Sequence, residues 1–376
     1  MMNSALRSCT LALGLAVLGS FATPAKAVDA FTDPVGYYTL NIVGASDNVM
    51  SLPMVRDAVF AGTVGGNITA TSFDVLAGQT APGWTANQFV YSSPEQRLTY
   101  YAEFTSGALK GLYYKVASNG TGSLTLDTEG DSLLAHPLPG NPAAALAAGD
   151  AFKIRPYWTV KDVLEVNGNP IIEARPLAFN QTDDVLIPDF STVGINKSSS
   201  FTIYYLANQG WRAVGQGSAD YGDFVLRPNE AFIVRRRNPA PLTVTNLGGV
   251  LMNRSAVFVP GGTASSHNDV YISISRPAAV SLNNSGLRIA DQNVSIIKDS
   301  ETAFNRQDEL YAFGSASGLN PSAADTFYYL AGAGWRKVGS PSTTIGDDVK
   351  LEPGTAYIIR KKSGNVGGDW VSDPNY

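Results

Sequence analysis

At 376 residues, with 44% hydrophobic and only 16% charged side chains, the chain is long enough to bury a sizeable core. Its 27 basic against 32 acidic residues leave a formal charge of −5, which is no electrostatic footprint for nucleic acid. A single cysteine excludes an internal disulfide and a cysteine-built metal site.

The chain opens with Arg7 ahead of an apolar stretch from Leu11 to Phe21, followed by Pro24 and Ala25-Lys26-Ala27. A basic start, a short apolar core and small residues at the exit predict a secretory signal peptide over 1–27, cleaved after Ala27. The apolar run falls well short of the ~20 residues that span a bilayer as a helix, so a membrane anchor is disfavoured. Cleavage would remove Arg7, Lys26 and Cys9, leaving no cysteine and taking the formal charge from −5 to −7. No later segment is long and apolar enough to form a transmembrane helix.

The next block, 28–160, reads as a first β module. Short runs such as Val35–Leu40, Phe60–Val64, Gln88–Tyr91, Tyr113-Tyr114 and Leu124–Leu126 are rich in residues that suit a pleated surface, and Gly, Asn, Ser and Pro separate them. Ala143–Ala148 is the one helix-friendly patch. From Asp162 to Asp183 the chain reads as a connector that turns at Asn167-Gly168-Asn169-Pro170. A second module is placed at 161–250 and a third at 251–376, with Leu242–Val250 and Asn268–Pro277 as strands leading into the latter.

The second and third modules contain one another's sequence. Shifting the chain by 124 residues aligns 184–225 with 308–349, giving 20 identities in 42 positions. Chance would give about two or three, so this is an internal repeat. It carries Thr202, Tyr204-Tyr205-Leu206-Ala207, Gly210-Trp211-Arg212 and Val214-Gly215, which return as Thr326, Tyr328-Tyr329-Leu330-Ala331, Gly334-Trp335-Arg336 and Val338-Gly339. One residue more, Lys350, realigns the closing runs Ala231–Arg235 and Ala356–Arg360, so the copies span 184–237 and 308–362. Ala178-Phe179-Asn180 and Ala303-Phe304-Asn305 extend the match upstream. Each copy predicts an antiparallel meander whose first turn lies at Asn208-Gln209-Gly210 or Gly332-Ala333-Gly334. A weaker third copy is expected in the first module, with Thr99-Tyr100-Tyr101 for Thr202 and the tyrosine pair, Gly111-Leu112 for Gly-Trp, and Ala151–Arg155 for the closing strand.

With these motifs in hand, the chain resembles a paralogous family of uncharacterised exported proteins of verrucomicrobial-type bacteria. The resemblance rests on Asp33-Pro34-Val35-Gly36, Ser51-Leu52-Pro53-Met54-Val55-Arg56, Arg155-Pro156-Tyr157-Trp158-Thr159-Val160 and the Tyr-Tyr…Gly-Trp-Arg-x-Val-Gly repeats. It implies an envelope or extracellular location and no assigned activity. Some relatives end in a hydrophobic and basic sorting tail. This chain ends Asp369-Trp370-Val371-Ser372-Asp373-Pro374-Asn375-Tyr376, which favours a soluble product and is not the alternating strand of an outer-membrane barrel.

The chemistry is sparse. Only two histidines occur, His136 and His267, both in contexts that read as loops. Ser266, His267 and Asp269 are neighbours in one loop, and neighbours rarely converge as a triad must. No G-x-S-x-G, P-loop or H-E-x-x-H motif is present. Asp127, Glu129 and Asp131 crowd one turn, Asp183-Asp184 a second and Asp347-Asp348 a third, and each reads as a solvated or Asx turn before it reads as a hydrolytic pair; a calcium loop is a middle reading for Asp127–Asp131 alone, which lacks the alternating ligands and distal glutamate of an EF-hand. Arg235-Arg236-Arg237 and Arg360-Lys361-Lys362 read as solvated edges that discourage strand-to-strand association. Trp84, Trp158, Trp211, Trp335 and the tyrosine pairs could stack sugars, but recurrence of Trp211 and Trp335 inside a strand pattern favours a core role.

The expected fold is therefore all-β, in two or three tandem antiparallel sandwich-like or barrel-like modules. No catalytic, cofactor-binding or metal-binding residue is assigned. The expected role is that of an exported, non-enzymatic protein with an unknown protein or glycan partner, in the periplasm, at the outer surface or outside the cell. A glycan-binding protein with Trp211 or Trp335 exposed is the alternative, and a glycoside hydrolase a more distant one.

Overall fold

The structure, a computed structural model, describes residues 33–76, 84–314, 318–374 and 376. The signal segment, its cleavage point and Cys9 lie outside them. The protein is all-β: its described residues form antiparallel strands, one five-residue helix, Val160–Leu164, and one 3-10 turn, Leu282–Asn284. No helix among them is long and apolar enough to cross a membrane.

Three sheets share one strand order. In the second, Ser46–Met50, Phe232–Arg236, Asp184–Pro188, Ser199–Leu206 and Gly210–Ala213 lie side by side; in the third, Asn268–Ser273, Ala356–Lys361, Glu309–Ala312, Asp325–Leu330 and Gly334–Lys337 do. The first runs Phe60–Thr63, Ala151–Pro156, Tyr100–Phe104, Tyr113–Asn119 and Ser123–Asp127, then adds Ser72–Asp74. The predicted hairpins form where expected. Leu206 faces Gly210 and Leu330 faces Gly334, and the turns place Asn208, Gly210, Gly332 and Gly334 at positive φ, where a β-branched residue would be strained.

The strand order corrects two sequence expectations. By position, Tyr113–Asn119 matches Ser199–Leu206, so Thr99-Tyr100-Tyr101 and Gly111-Leu112 each lie one strand too early to be the third copy of Thr-x-Tyr-Tyr and Gly-Trp. Paired tyrosines suit any well-packed strand, and similar runs were matched without knowledge of their neighbours. The ungapped alignment is also out of step at its start. Asp184 faces Arg235 and Glu309 faces Arg360, so Asp183, not Asp184, corresponds to Asp308. The second copy is one residue shorter between this strand and the next, a difference a loop absorbs and an ungapped shift conceals.

Three hydrophobic cores lie under the sheets. Trp211 (2% exposed) sits in the middle core and Trp335 (1%) in the third, each edge-on to the tyrosine facing it across the hairpin, Tyr205 or Tyr329. The middle core also takes Tyr38, Leu40, Ile42, Met50, Leu52 and Met54, because Val35–Ile42 pairs with Leu242–Gly249 and Ser46–Met50 with the closing strand of the first repeat copy. Helix Val160–Leu164 begins with Thr159 and Asp162 capping one another's backbone amides. The Ala143–Ala148 patch is not helical, since Asn141–Ala144 is a strand paired with His136–Leu138.

The two repeat copies clasp each other reciprocally. Asp47 accepts a bidentate pair of bonds from Arg235 at 2.7 Å each and a third from the Asn320 backbone amide at 2.9 Å. Asp269 accepts the same pair from Arg360 at 2.7 and 2.8 Å and a third from the Asn196 amide at 2.8 Å. The amides of Asp47 and Asp269 donate to the carbonyls of Gly318 and Gly194. Asn196 and Asn320, 124 positions apart, both adopt φ near +50°, a conformation open to asparagine. Each copy thus extends a Gly-x-Asn loop onto the other's sheet, the isologous contact of a two-fold dimer made within one chain.

Candidate functional site

Most of the charges noted in the sequence are spent on the fold. Asp183 accepts from the amides of Glu173 and Arg237 and from the Arg236 guanidinium, while Asp308 accepts from the amides of Lys298 and Lys362 and from the Lys361 ammonium. Asp183, Asp184, Arg236, Asp308 and Lys361 are all buried. The basic triplets are therefore not solvated edges, and the Asp183-Asp184 pair is not a solvated turn. Alternation along the strand sends Arg235 and Arg360 across to the other copy, and Arg236 and Lys361 inward. The missed signal was the joint recurrence of the acid and the basic triplet 125 residues on.

The acidic turn at 127–131 splits. Asp131 turns inward, accepting from the Tyr114 hydroxyl and meeting His136 Nδ1, while Glu129 points outward to Arg227 at 3.2 Å. Among the described residues no group of three or more His, Cys, Asp and Glu side chains is arranged to hold a metal ion. His267 is exposed, and its neighbour Asp269 is committed to Arg360 and Asn196. Asp347 accepts from Asn283 at 2.9 Å.

His136 is a buried strand residue rather than a loop residue. Its Nε2 lies 3.0 Å from Asp369 on the last strand, so it joins two distant parts of the chain. Burial alone would lower the imidazole pKa; the hydrogen bond and charge of Asp369, with those of Asp131, outweigh it and raise the pKa above the usual 6.5. A raised folded pKa gives stability that is complete below the unfolded value and is lost as pH climbs through the folded one. The urea midpoint should fall as pH rises beyond about 6.5. In His136→Gln that slope should become shallower by the histidine's share, and an unchanged slope would refute the assignment. Glu230, described below, titrates with the same sign, so the comparison is between variant and parent.

A cleft among the described residues is left unfilled by the fold. It is an open cleft of about 680 Å³ between the first and second sheets. Ile187, Phe201, Phe224, Leu226 and Phe232 give it an apolar floor, Phe201 packing against Phe224 at 5.3 Å between ring centres. Thr99, Lys115 and Tyr157 come from the first module. Glu129 arrives on a tight turn with φ +53°, beside Gly130 at +94°. Arg227 and Glu230 lie on the turn that follows the Val225–Leu226 strand, whose Asn229 has φ +63° and whose Pro228 carbonyl accepts from the Tyr113 hydroxyl at 2.8 Å.

The electrostatic centre is Arg227, whose Nη1 lies 3.2 Å from Glu129 and 3.6 Å from Glu230. Burial pushes the Glu230 carboxyl up to about 7, against the opposing pull of Arg227, so near neutral pH it both donates and accepts. Across the cleft, hydrogen bonds from the Thr192 and Ser191 side chains hold the Asp189 carboxyl well below the usual carboxylate range, and it stays ionised. An apolar floor with a few converging polar groups is the usual form of a small-ligand site, and the volume lies in the usual range. Of these groups only Glu129 stood out in the sequence. Arg227 and Glu230 were hidden in a turn signal, since no spacing marks residues that meet a partner about 100 positions away.

Comparison of the chain with protein-family models, curated proteins and solved structures gave no match.

Proposed function

We propose that this is an exported, non-enzymatic interaction protein of the cell envelope or extracellular space, and that its cleft binds a glycan. The observation that carries the reading is the cleft itself: an aromatic and aliphatic floor beside Arg227, Glu129, Glu230, Thr99 and Tyr157. A sugar presents apolar C–H faces and a rim of hydroxyls that both donate and accept, and this set meets both needs. Trp211 and Trp335 take no part, because both are buried. Export is supported by the leader-like pattern of 1–27.

Arg227→Ala should weaken binding of the best ligand on a glycan array at least about tenfold, the effect of losing a charge-assisted partner in a partly enclosed site. Binding should change between pH 6 and 8, where Glu230 titrates, and lose that dependence in Glu230→Gln. Unaltered binding by both variants would exclude the cleft.

A second reading has one specific support. Three carboxylates line one cleft, Glu129, Asp189 and Glu230, and Glu230 is tuned to about 7, as a general acid would be. Release of reducing ends from the bound glycan, abolished in Glu230→Gln, would establish hydrolysis, and its absence from the parent protein would leave binding alone.

A further inference from the structure

Just upstream of each repeat copy stands a strongly exposed phenylalanine. Phe179 is 79% exposed and Phe304 97%, at corresponding places 125 residues apart in the two Ala-Phe-Asn triplets. Isolated apolar side chains are common on surfaces. These two are different because their loops are held in the same way by arginines from different sequence positions.

In the first copy Arg175 donates to the Ala178 carbonyl at 2.9 Å, pairs with Asp184 and lies 4.0 Å above the Tyr204 ring. In the second copy, Ser300 stands at the position matching Arg175. There Arg306, from the other side of the triplet, donates to the Ala303 carbonyl at 2.9 Å, pairs with Glu309 and lies 5.8 Å from the Tyr328 ring. Carbonyl, acid and tyrosine correspond in the two copies; only the origin of the arginine differs. Two routes to one geometry mark the presentation of the ring, rather than the local sequence, as the feature retained.

The surroundings indicate what the rings meet. A pocket of about 360 Å³ beside Phe304 is lined by Asn305, Gln307, His267, Arg360 and the Arg306–Glu309 ion pair, with Ile195 the only other apolar side chain. Asn180 follows Phe179 as Asn305 follows Phe304, and Leu177, 54% exposed, stands two residues before that ring. Protein-docking patches have an apolar core of several side chains. A ring with at most one apolar neighbour, edged by amides and paired charges, instead fits one pyranose face, with its hydroxyls at the ring's margin.

We infer that Phe179 and Phe304 are the stacking rings of two equivalent saccharide subsites, by which the chain grips one polysaccharide at two points. This rests on the glycan reading of the function but not on the cleft. Two sites on one polymer multiply their affinities through effective concentration.

Affinity electrophoresis of the full chain through gels containing mannan, xylan, mixed-linkage glucan or glycol chitin tests it. On the polymer that retards the parent, Phe179→Ala and Phe304→Ala should each weaken retardation by roughly a hundredfold, as avidity is lost, and the double variant should lose the contribution of both rings. With a short oligosaccharide of that polymer, calorimetry should count one site fewer in each single variant. Both positions are exposed, so the variants should fold normally. Retardation abolished by Arg227→Ala but untouched by the phenylalanine variants would overturn the inference and leave the cleft standing. A change in sedimentation instead of retardation would overturn it in favour of a protein interface. No retardation of the parent by any of the polymers would overturn both it and the glycan reading.

Discussion

Asp308→Ala will lower the unfolding free energy by about 3–5 kcal/mol, the cost of leaving a buried charge without its partner. The side chains of Asp308 and Lys361 are both wholly inaccessible, and their ends lie 2.6 Å apart. Asp308 also accepts from the Lys362 amide at 2.8 Å, the Lys298 amide at 3.1 Å and the Asn365 side chain at 2.8 Å. Alanine would leave the buried ammonium of Lys361 without its counter-charge, holding only the Ile296 carbonyl, and free two part-buried amides. Asp308→Leu with Lys361→Met removes both charges at similar volume and should recover much of the loss. Urea unfolding of the three proteins decides the matter. A near-neutral Asp308→Ala, or a double variant no better than the single, would show that the pair is hydrated. Asp183→Ala should repeat the effect in the first copy, where Arg236 stands in for the lysine.

Trp335→Ala should cost about as much, roughly 3–5 kcal/mol, through the cavity it leaves in the third core. The indole is 1% exposed and meets Tyr329 edge-on, with ring centres 5.7 Å apart. Trp335→Phe should cost clearly less, because most of the volume stays. Trp211→Ala should lose in addition the hydrogen bond from its ring nitrogen to Glu165, 2.9 Å long. In the native protein acrylamide should quench tryptophan fluorescence weakly, since Trp84, Trp211, Trp335 and Trp370 are all buried. Strong quenching would return the indoles to the surface and revive the stacking platform that the structure rejects.

The sheets were legible because their signals are local. Thr-x-Tyr-Tyr-Leu, a turn closed by glycine and Gly-Trp-Arg together spell a hairpin within about a dozen residues. The repeat was legible because identity needs no geometry. The first-module copy was misplaced because paired tyrosines say "packed strand" without saying which strand. Of the cleft's charged groups, only Glu129 was visible. Arg227 and Glu230 are ordinary turn residues until the first module is folded against them.

Composition, strand periodicity and self-similarity thus determined that this protein is all-β, built on a doubled unit. Turn residues located most of the hairpins, because backbone conformation answers to neighbours one or two positions away. The fate of the charges was decided only by the tertiary structure. Arg236 looks the same in sequence whether water or Asp183 solvates it. Asp47 and Asp269 find their third ligand in the opposite copy's Gly-x-Asn loop, 273 positions after the one and 73 before the other. The solvation of a charge depends on what the whole chain brings within about 3 Å of it, and no local pattern carries that information.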